Sequence, residues 1–321
     1  MRRHFAIDPD ISTAVRRYLV GILLSCFLIL PLWTSAPHAA LPATKSAADV
    51  TPETASRFTK GLLWKIESPN IPASYVFGTI HSDDKRVTAL PEPVSRSLND
   101  AKQFVMEAIV DGDALVSMAE VMFFNDDRTL EQVIGQKLYR DTKKALSARG
   151  MPTQGIEKQK PWAVMMALSM PTPKTGEYLD FVLQAHVTRM NKPVSGLESI
   201  AEQLSVFNDL SLSDQIALLE DTVRAQSTLD RQFEELHQAW LARDLGAIMA
   251  LAEKYKPGDD RLYFDVMDRL LNQRNLRMVE RMGPILKEGS AFIAVGAAHL
   301  PGETGLLYRL EKAGYRVRPV Y

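Results

Sequence analysis

The sequence predicts an α/β (α+β) fold in which a mixed central sheet carries large helical insertions. Two observations predict it. Short apolar runs of strand length recur along the chain, and between them apolar residues repeat with the 3.6-residue spacing of helices. The composition agrees, because 321 residues with 46% hydrophobic and 24% charged residues are ordinary for a globular protein. The formal net charge of -1 gives no electrostatic reason to expect nucleic acid as a partner.

Residues 1–40 are predicted to be a signal peptide. Arginines precede the apolar run Tyr18–Trp33, and a stretch of small residues follows it. The run is short for a bilayer-spanning helix, which needs roughly 20 apolar residues, so an uncleaved anchor is the second choice. A lipidated Cys26, the sole cysteine, is a weaker alternative. Residues 41–60 are interpreted as a linker, and we therefore expect an exported, periplasmic or extracellular domain over residues 61–321.

The predicted strands are short, and structure is expected to begin at Leu62–Ile66. The further strand-length segments are, in order, Ser74–Phe77, Gln103–Met106, Lys192–Gly196, Ala291–Val295 and Tyr315–Arg318. The strongest is Ala291–Val295, because glycine lies on both sides of this apolar run, as is typical of a buried central strand. Tyr315–Arg318 alternates in polarity and meets Pro319, which favours an edge strand.

The segments between the strands are predicted to be helical. The periodic segments are, in order, residues 130–149, 161–170, 211–225, 229–241, 245–254, 261–282 and 304–313. Gly314 directly follows the last of them and is expected to be a left-handed C-terminal cap. Two long helical tracts, at about 113–190 and 209–285, are interpreted as insertions packed over the sheet.

One motif occurs twice. Residues 75–81 (YVFGTIH) and 293–299 (IAVGAAH) each place a glycine after an apolar strand and a histidine three residues later. The glycine is expected to permit a tight exit from the strand, so that His81 and His299 point back over the strand ends. Ligands of α/β sheets usually bind at the carboxyl ends of the strands. The repeated strand–GxxH unit therefore predicts a site there.

Two acidic residues follow other predicted strands. Glu107 comes after Phe104–Met106, and Glu198 lies in the segment Gly196–Ser199. If these strands end at one edge of the sheet, His81, Glu107, Glu198 and His299 converge and predict a site for Zn²⁺, Mn²⁺, Co²⁺ or Fe²⁺. Such an ion would activate a bound water, and one glutamate would remain as general base. The spacing leaves open which glutamate is the ligand and which is the base.

Simpler interpretations compete with this one. A histidine at a strand end is often structural, and an acidic residue after a strand often caps the next helix. His186 and His237 lie at helical spacing among apolar residues and are expected to be packing or surface residues. The sequence contains no HExxH, GxSxG, GxGxxG or phosphate-loop motif, and serine hydrolases, dehydrogenases and NTPases therefore have no support.

Taken together, these motifs resemble those of the TraB/GumN/TIKI family over most of residues 61–321. The matching segments, in order, are Leu62–Lys65, Gly78–His81, Pro91 with Pro93, Met106-Glu107, Lys160–Trp162, Gly196–Ser199, Glu202-Gln203, Arg274-Asn275, Val295–Leu307 and Gly314-Tyr315. The family's two GxxH motifs match at His81 and His299. Its acidic positions match Glu107 and Glu198, and its arginine position matches Arg274.

The resemblance implies a TIKI-like fold, related to ChaN-like haem-binding lipoproteins and erythromycin esterases, and a metal-dependent peptidase activity outside the cell. It also implies a role for Arg274, which could hold a substrate carboxylate or stabilise an oxyanion. We therefore expect an exported metal-dependent hydrolase of a peptide or other small substrate, tethered to a membrane if the leader is uncleaved or lipidated. The alternative is a binding protein for haem, a peptide or a glycan fragment that uses the same pocket without turnover.

Overall fold

The computed structural model describes residues 58–256 and 258–321. The predicted signal peptide over residues 1–40, including Cys26, and most of the predicted linker lie outside the described residues. Residues 59 and 60 already contact the folded body, since the Thr59 carbonyl accepts a hydrogen bond from the Gly246 amide at 3.2 Å and Lys60 pairs with Asp244.

The centre of the fold is a mixed six-stranded sheet, as the sequence predicts. Its strands are β1 (Leu63–Ser68), β2 (Ile71–Thr79), β3 (Gln103–Ala108), β4 (Val194–Glu198), β5 (Ala291–Gly296) and β6 (Arg316–Pro319). The order across the sheet is β4-β3-β5-β2-β1-β6. Four neighbours, β4, β3, β5 and β2, are parallel, whereas β1 pairs antiparallel with both β2 and β6. The four parallel strands therefore end at one edge of the sheet.

The position of each strand follows from its side chains. Every residue of β5 is buried, which is possible because β5 lies between β3 and β2 and is covered on both faces. By contrast, β6 is largely exposed and ends at Pro319 on the outer side of β1, where proline interrupts no further strand pairing. Both the central and the edge prediction are confirmed. The buried apolar side chains of the sheet and the helices form one continuous core from Leu62 to Leu310.

Helices fill the connections between the parallel strands. The α-helices of the described residues are α1 (Lys85–Thr88), α2 (Glu92–Asp100), α3 (Gly112–Met122), α4 (Leu130–Ala148), α5 (Pro161–Leu168), α6 (Leu179–Arg189), α7 (Ile200–Asn208), α8 (Leu212–Ala225), α9 (Leu229–Leu241), α10 (Leu245–Lys254), α11 (Asp260–Met267), α12 (Gln273–Glu288) and α13 (Leu306–Lys312). Helices α3 to α6 connect β3 to β4, and α7 to α12 connect β4 to β5. Since parallel strands need long crossovers, these connections are large.

The periodic pattern at 261–282, predicted as one helix, is interrupted in the structure. A π-helical turn, Asp268–Asn272, separates α11 from α12 and lies directly before Arg274. Turns of this kind are rare and frequently occur at functional sites. Gly314 has φ +93° and follows α13, which confirms the predicted left-handed cap. Within the described part of the chain, no helix has the length and apolarity needed to cross a bilayer.

Candidate functional site

The four residues predicted as metal ligands lie at the carboxyl-terminal edge of the parallel strands, whereas Arg274 lies on α12. His81 follows the end of β2 by two residues, and His299 follows the end of β5 by three. Glu107 is the penultimate residue of β3, and Glu198 is the last residue of β4. Because β4, β3, β5 and β2 are adjacent and parallel, one edge of the sheet carries all four side chains.

The two GxxH motifs lie side by side, but their glycines act differently from the prediction. Gly78 lies inside β2, and Gly296 has φ -55°, so neither glycine makes a left-handed exit turn. Gly78 is instead required by a close approach. A Cβ atom at this position would lie 3.1 Å from the Ala297 Cα and 2.8 Å from a Leu300 methyl group. The missing side chain lets the second motif pack directly against the first.

A buried ion cluster forms the centre of the site. Arg274 donates from Nε to Glu198 Oε2 at 2.9 Å and from Nη2 to Glu107 Oε2 at 2.5 Å. The three side chains are at most 2% exposed, so water does not screen this interaction. Arg277, which is part-exposed, approaches the other oxygen of Glu198 at 3.4 Å. Glu198 is thus held between two arginines.

Glu107 has additional donors. Its Oε1 accepts the Gly296 amide at 2.5 Å, and its Oε2 accepts Gln203 Nε2 at 3.3 Å. The first contact ties the carboxylate of β3 to the glycine of the second GxxH motif. Gln203 lies on α7, whose N-terminus is fixed by the reciprocal hydrogen bonds of Ser199 and Glu202.

His299 is oriented by Asn275. The Asn275 amide nitrogen donates to the Thr304 carbonyl at 2.9 Å, so its Oδ1 faces His299 Nδ1 at 2.7 Å and accepts from it. The proton of the neutral ring therefore lies on Nδ1. The other nitrogen, Nε2, points towards Glu107 Oε1 at 3.7 Å. This arrangement presents an unprotonated imidazole nitrogen to a carboxylate in a buried space.

His81 is oriented by a different segment. Its Nδ1 lies 3.1 Å from Asp180 Oδ2 on the first turn of α6. The Tyr178 ring stacks on the imidazole, with ring centroids 4.3 Å apart and planes inclined by 15°. Both motif histidines thus have their Nδ1 atom next to an oxygen supplied by a crossover helix.

The environment changes the protonation of the ion cluster. Burial raises the pKa of Glu107 to about 7, although the charge of Arg274 and the Gly296 amide oppose this rise. Burial alone would lower the pKa of Arg274, but Glu107 and Glu198 outweigh it, so the net shift is upward. At neutral pH the guanidinium is charged, and the raised pKa of Glu107 lies in the range suited to a general acid or base.

Both motif histidines are neutral at neutral pH. Burial, and then the positive charge of Arg274, lower the pKa of His299 well below its usual value. Burial also lowers the pKa of His81, and the neighbouring carboxylates of Asp180 and Asp83 oppose this shift. Neutral imidazoles are the form that binds metal ions.

The predicted metal centre fits this structure in part. The neutral imidazole nitrogens of His81 and His299 suit a zinc-type ion, and an Nδ1 bonded to an outer oxygen is typical of metal-binding histidines. The glutamates do not fit as ligands in this arrangement, because two arginines hold the oxygens of Glu198, and Arg274 and the Gly296 amide hold those of Glu107. Within the described residues, no group of three or more His, Cys, Asp or Glu side chains is arranged to hold an ion. The predicted four-ligand cluster is therefore not assembled.

A surface cavity of about 540 Å³ opens beside the cluster. It lies at the ends of β3 and β4, between the first turns of α3 and α7, and Ile109, Leu197, Glu198 and Arg281 contribute to its walls. Arg281 is fixed there by Glu202 at 2.6 Å and by the Leu197 carbonyl at 2.7 Å. Of the five predicted site residues, Glu198 alone lines this cavity.

Asp180, Tyr178 and the orienting role of Asn275 are absent from the sequence prediction. Asn275 could have been found from the sequence, because it follows Arg274 in a segment that resembles the family's motifs. Asp180 follows no strand and reads as an ordinary acidic residue in the first turn of a helix. His237 is buried on α9 and His186 contacts Asn99 at 2.7 Å, outside the cluster.

Comparison with known proteins adds the following. The profile described as the TraB/PrgY/gumN family matches residues 62–319. The chain is 24% identical to "Metalloprotease TIKI2" of Danio rerio over 310 residues, which covers 79% of this chain and 60% of that protein. It is 23% identical to "Metalloprotease TIKI1" of Xenopus tropicalis, covering 92% of this chain and 68% of that protein. The chain thus spans about 60% of the first relative's length, and no solved structure matches it.

Proposed function

Because the chain belongs to the TraB/PrgY/gumN family, we propose that it is an exported metal-dependent hydrolase that cleaves a peptide or related amide bond. The observation that carries the proposal is the buried pair of His299 Nε2 and Glu107 Oε1, 3.7 Å apart and next to the Arg274 guanidinium. The relatives named metalloproteases support the same class of reaction.

In this proposal His81 and His299 would hold the ion, and Glu107, next to His299, would be the general base. A divalent ion bound there would polarise the scissile carbonyl and acidify a water molecule. Glu107 accepts the proton of the attacking water and later returns it to the leaving amine, since its pKa of about 7 permits both steps. Arg274 stabilises the negative charge that develops on the carbonyl oxygen. Glu198 holds Arg274 in place rather than acting on the substrate.

Metal binding is tested with protein purified without chelator. Mn²⁺, Co²⁺, Zn²⁺ and Fe²⁺ are added singly, and the melting temperature is followed. An ion at 100 times its dissociation constant stabilises the fold by about 2.7 kcal/mol. For a domain of this size that corresponds to a rise of about 5–10 °C. His299→Ala should abolish the rise, whereas His186→Ala, a histidine outside the cluster, should keep it.

Hydrolysis is tested with the loaded protein on a library of internally quenched peptides. Cleavage that is lost on chelation and in Glu107→Gln supports the proposal. No rise in melting temperature with any of the four ions would contradict it. Metal binding without turnover of any peptide would support the binding-protein alternative.

Export is part of the same proposal. The predicted signal peptide over residues 1–40 would direct the chain out of the cytoplasm, and residues 61–321 would act there. Fractionation of the producing cell, followed by N-terminal sequencing of the protein, tests this. A start between residues 37 and 44 in the exported fraction supports it, and a cytoplasmic protein that keeps Met1 contradicts it.

A further inference from the structure

The segment at the start of α6, residues 174–180, covers His81 on two sides. The Tyr178 ring lies flat against one face of the imidazole, and the Asp180 carboxylate lies at its Nδ1 edge. The His81 side chain is fully buried, and that of Asp180 is 11% exposed. None of these contacts involves the catalytic arginine or either glutamate of the cluster.

This segment is fastened to the residues that directly follow His81. The Leu179 amide donates to the Ser82 carbonyl at 3.0 Å. The Asp83 carboxylate accepts the amides of three consecutive residues, 174–176, at 2.6–2.9 Å. Thr175 also donates from its hydroxyl to the Asp83 carbonyl at 3.3 Å. Asp180 is therefore held at a fixed position relative to the ring that it contacts.

The contact determines which ring nitrogen carries the proton. An ionised carboxylate has no hydrogen to donate and can only accept. Asp180 lies in the first turn of α6, at the positive end of the helix dipole, where aspartate is a common residue. Nδ1 of His81 must then be the donor. In a neutral ring this leaves Nε2 unprotonated.

We propose that Asp180 is a positioning residue that fixes the tautomer and orientation of His81, so that Nε2 is the nitrogen offered to an ion or a proton. The purpose that we assign to Asp180 rests on the proposed function, whereas the geometry of its contact with His81 does not. It makes the two motif histidines unequal, because His81 is oriented by a carboxylate and His299 by the neutral amide of Asn275.

The tautomer is measured directly in the metal-free protein. Long-range ¹H–¹⁵N correlation spectra of ¹⁵N-histidine-labelled protein distinguish a protonated ring nitrogen from an unprotonated one, and His81→Ala assigns the signals. Wild type should show protonated Nδ1 for His81. Asp180→Leu removes the acceptor and should shift the proton to Nε2, whereas Asp180→Asn, whose amide oxygen can still accept, should retain the Nδ1 proton in part.

The matched control is Glu177→Gln. This variant removes one negative charge from the same segment at an exposed position and should leave the His81 tautomer unchanged. Melting curves show whether each variant is folded. A folded Asp180→Leu variant with a His81 spectrum identical to wild type overturns the proposal. If that variant does not fold, the wild-type spectrum decides, since protonated Nε2 in His81 of the wild type overturns it as well.

Metal affinity gives a second readout. Titration with Co²⁺, followed by its visible absorption, should show a dissociation constant raised roughly 10–100-fold in Asp180→Leu and unchanged in Glu177→Gln. Equal affinity in Asp180→Leu and wild type would overturn the positioning role. Absence of Co²⁺ binding in wild type would contradict the proposed function instead, and the tautomer measurement would still decide the inference about Asp180.

Discussion

Replacement of Arg274 by methionine tests whether the buried ion cluster is held together by charge. Methionine keeps most of the volume and the flexible apolar stem but removes the guanidinium. The variant leaves two carboxylates, Glu107 and Glu198, that are at most 2% exposed and have lost their shared cation. Loss of one partner from a buried ion pair typically costs 3–5 kcal/mol.

The size of the effect depends on pH. The variant can avoid two adjacent buried charges by binding a proton on one of the two carboxyl groups. Protonation of a glutamate with an ordinary pKa costs up to about 4 kcal/mol at pH 7 and about 1 kcal/mol at pH 5. The sign is clear, because a carboxyl group whose folded pKa is raised favours the folded state only in its protonated form. The stability lost in Arg274→Met should therefore grow from pH 5 to pH 7.

Urea unfolding followed by circular dichroism measures this loss at both pH values. Arg277→Met is the matched control, because Arg277 is on the same helix and approaches the same Glu198 but is 35% exposed. Its loss should stay below about 1 kcal/mol. The double variant Arg274→Met with Glu198→Gln should recover most of the loss at pH 7, since glutamine requires no proton. A loss in Arg274→Met that is equal at pH 5 and pH 7 would refute the charge argument.

Two further substitutions test neighbouring features. Gly78→Ala should cost about 1–3 kcal/mol in urea unfolding, because its Cβ would press on Ala297. Gly112→Ala, where nothing lies within 4 Å of the added atom, should cost nothing. Glu202→Gln tests the carboxylate whose pKa is lowered to about 2, chiefly by Arg281. The part-exposed pair of Glu202 and Arg281 contributes about 1 kcal/mol to stability at pH 7. This contribution is lost as the pH falls from about 4.5 towards 2, because Glu202 becomes protonated. The difference in urea midpoint between variant and wild type should therefore be smaller at pH 3.5 than at pH 7. A constant difference would contradict the ion-pair explanation.

The arrangement of the parallel strands was predictable because the signals are local. An apolar run followed by GxxH marks the ends of β2 and β5, and the full burial of Ala291–Val295 could be expected from its composition. With parallel strands, these ends must share an edge. The convergence of Glu107 and His299 therefore follows from the sequence pattern, and the structure places them 3.7 Å apart.

The partners of these residues were not predictable, because they come from distant crossover helices. Arg274 and Glu198 are 76 residues apart, and His81 and Asp180 are 99 apart. No local pattern relates such pairs. The sequence also does not show that a single arginine, Arg274, pairs with the carboxylates of both Glu107 and Glu198. This contact explains why the predicted four-ligand set does not form, since Glu198 serves the guanidinium.

The close contact between Gly78 and Ala297 limits how this protein can be altered by design or by evolution. The two GxxH motifs touch at Gly78 and Ala297, where no side chain separates their backbones. A bulkier residue or an insertion on one side displaces the other turn, and the histidine that it carries moves with it. A larger residue at position 78 would therefore require a smaller residue at the facing position 297, such as glycine in place of alanine.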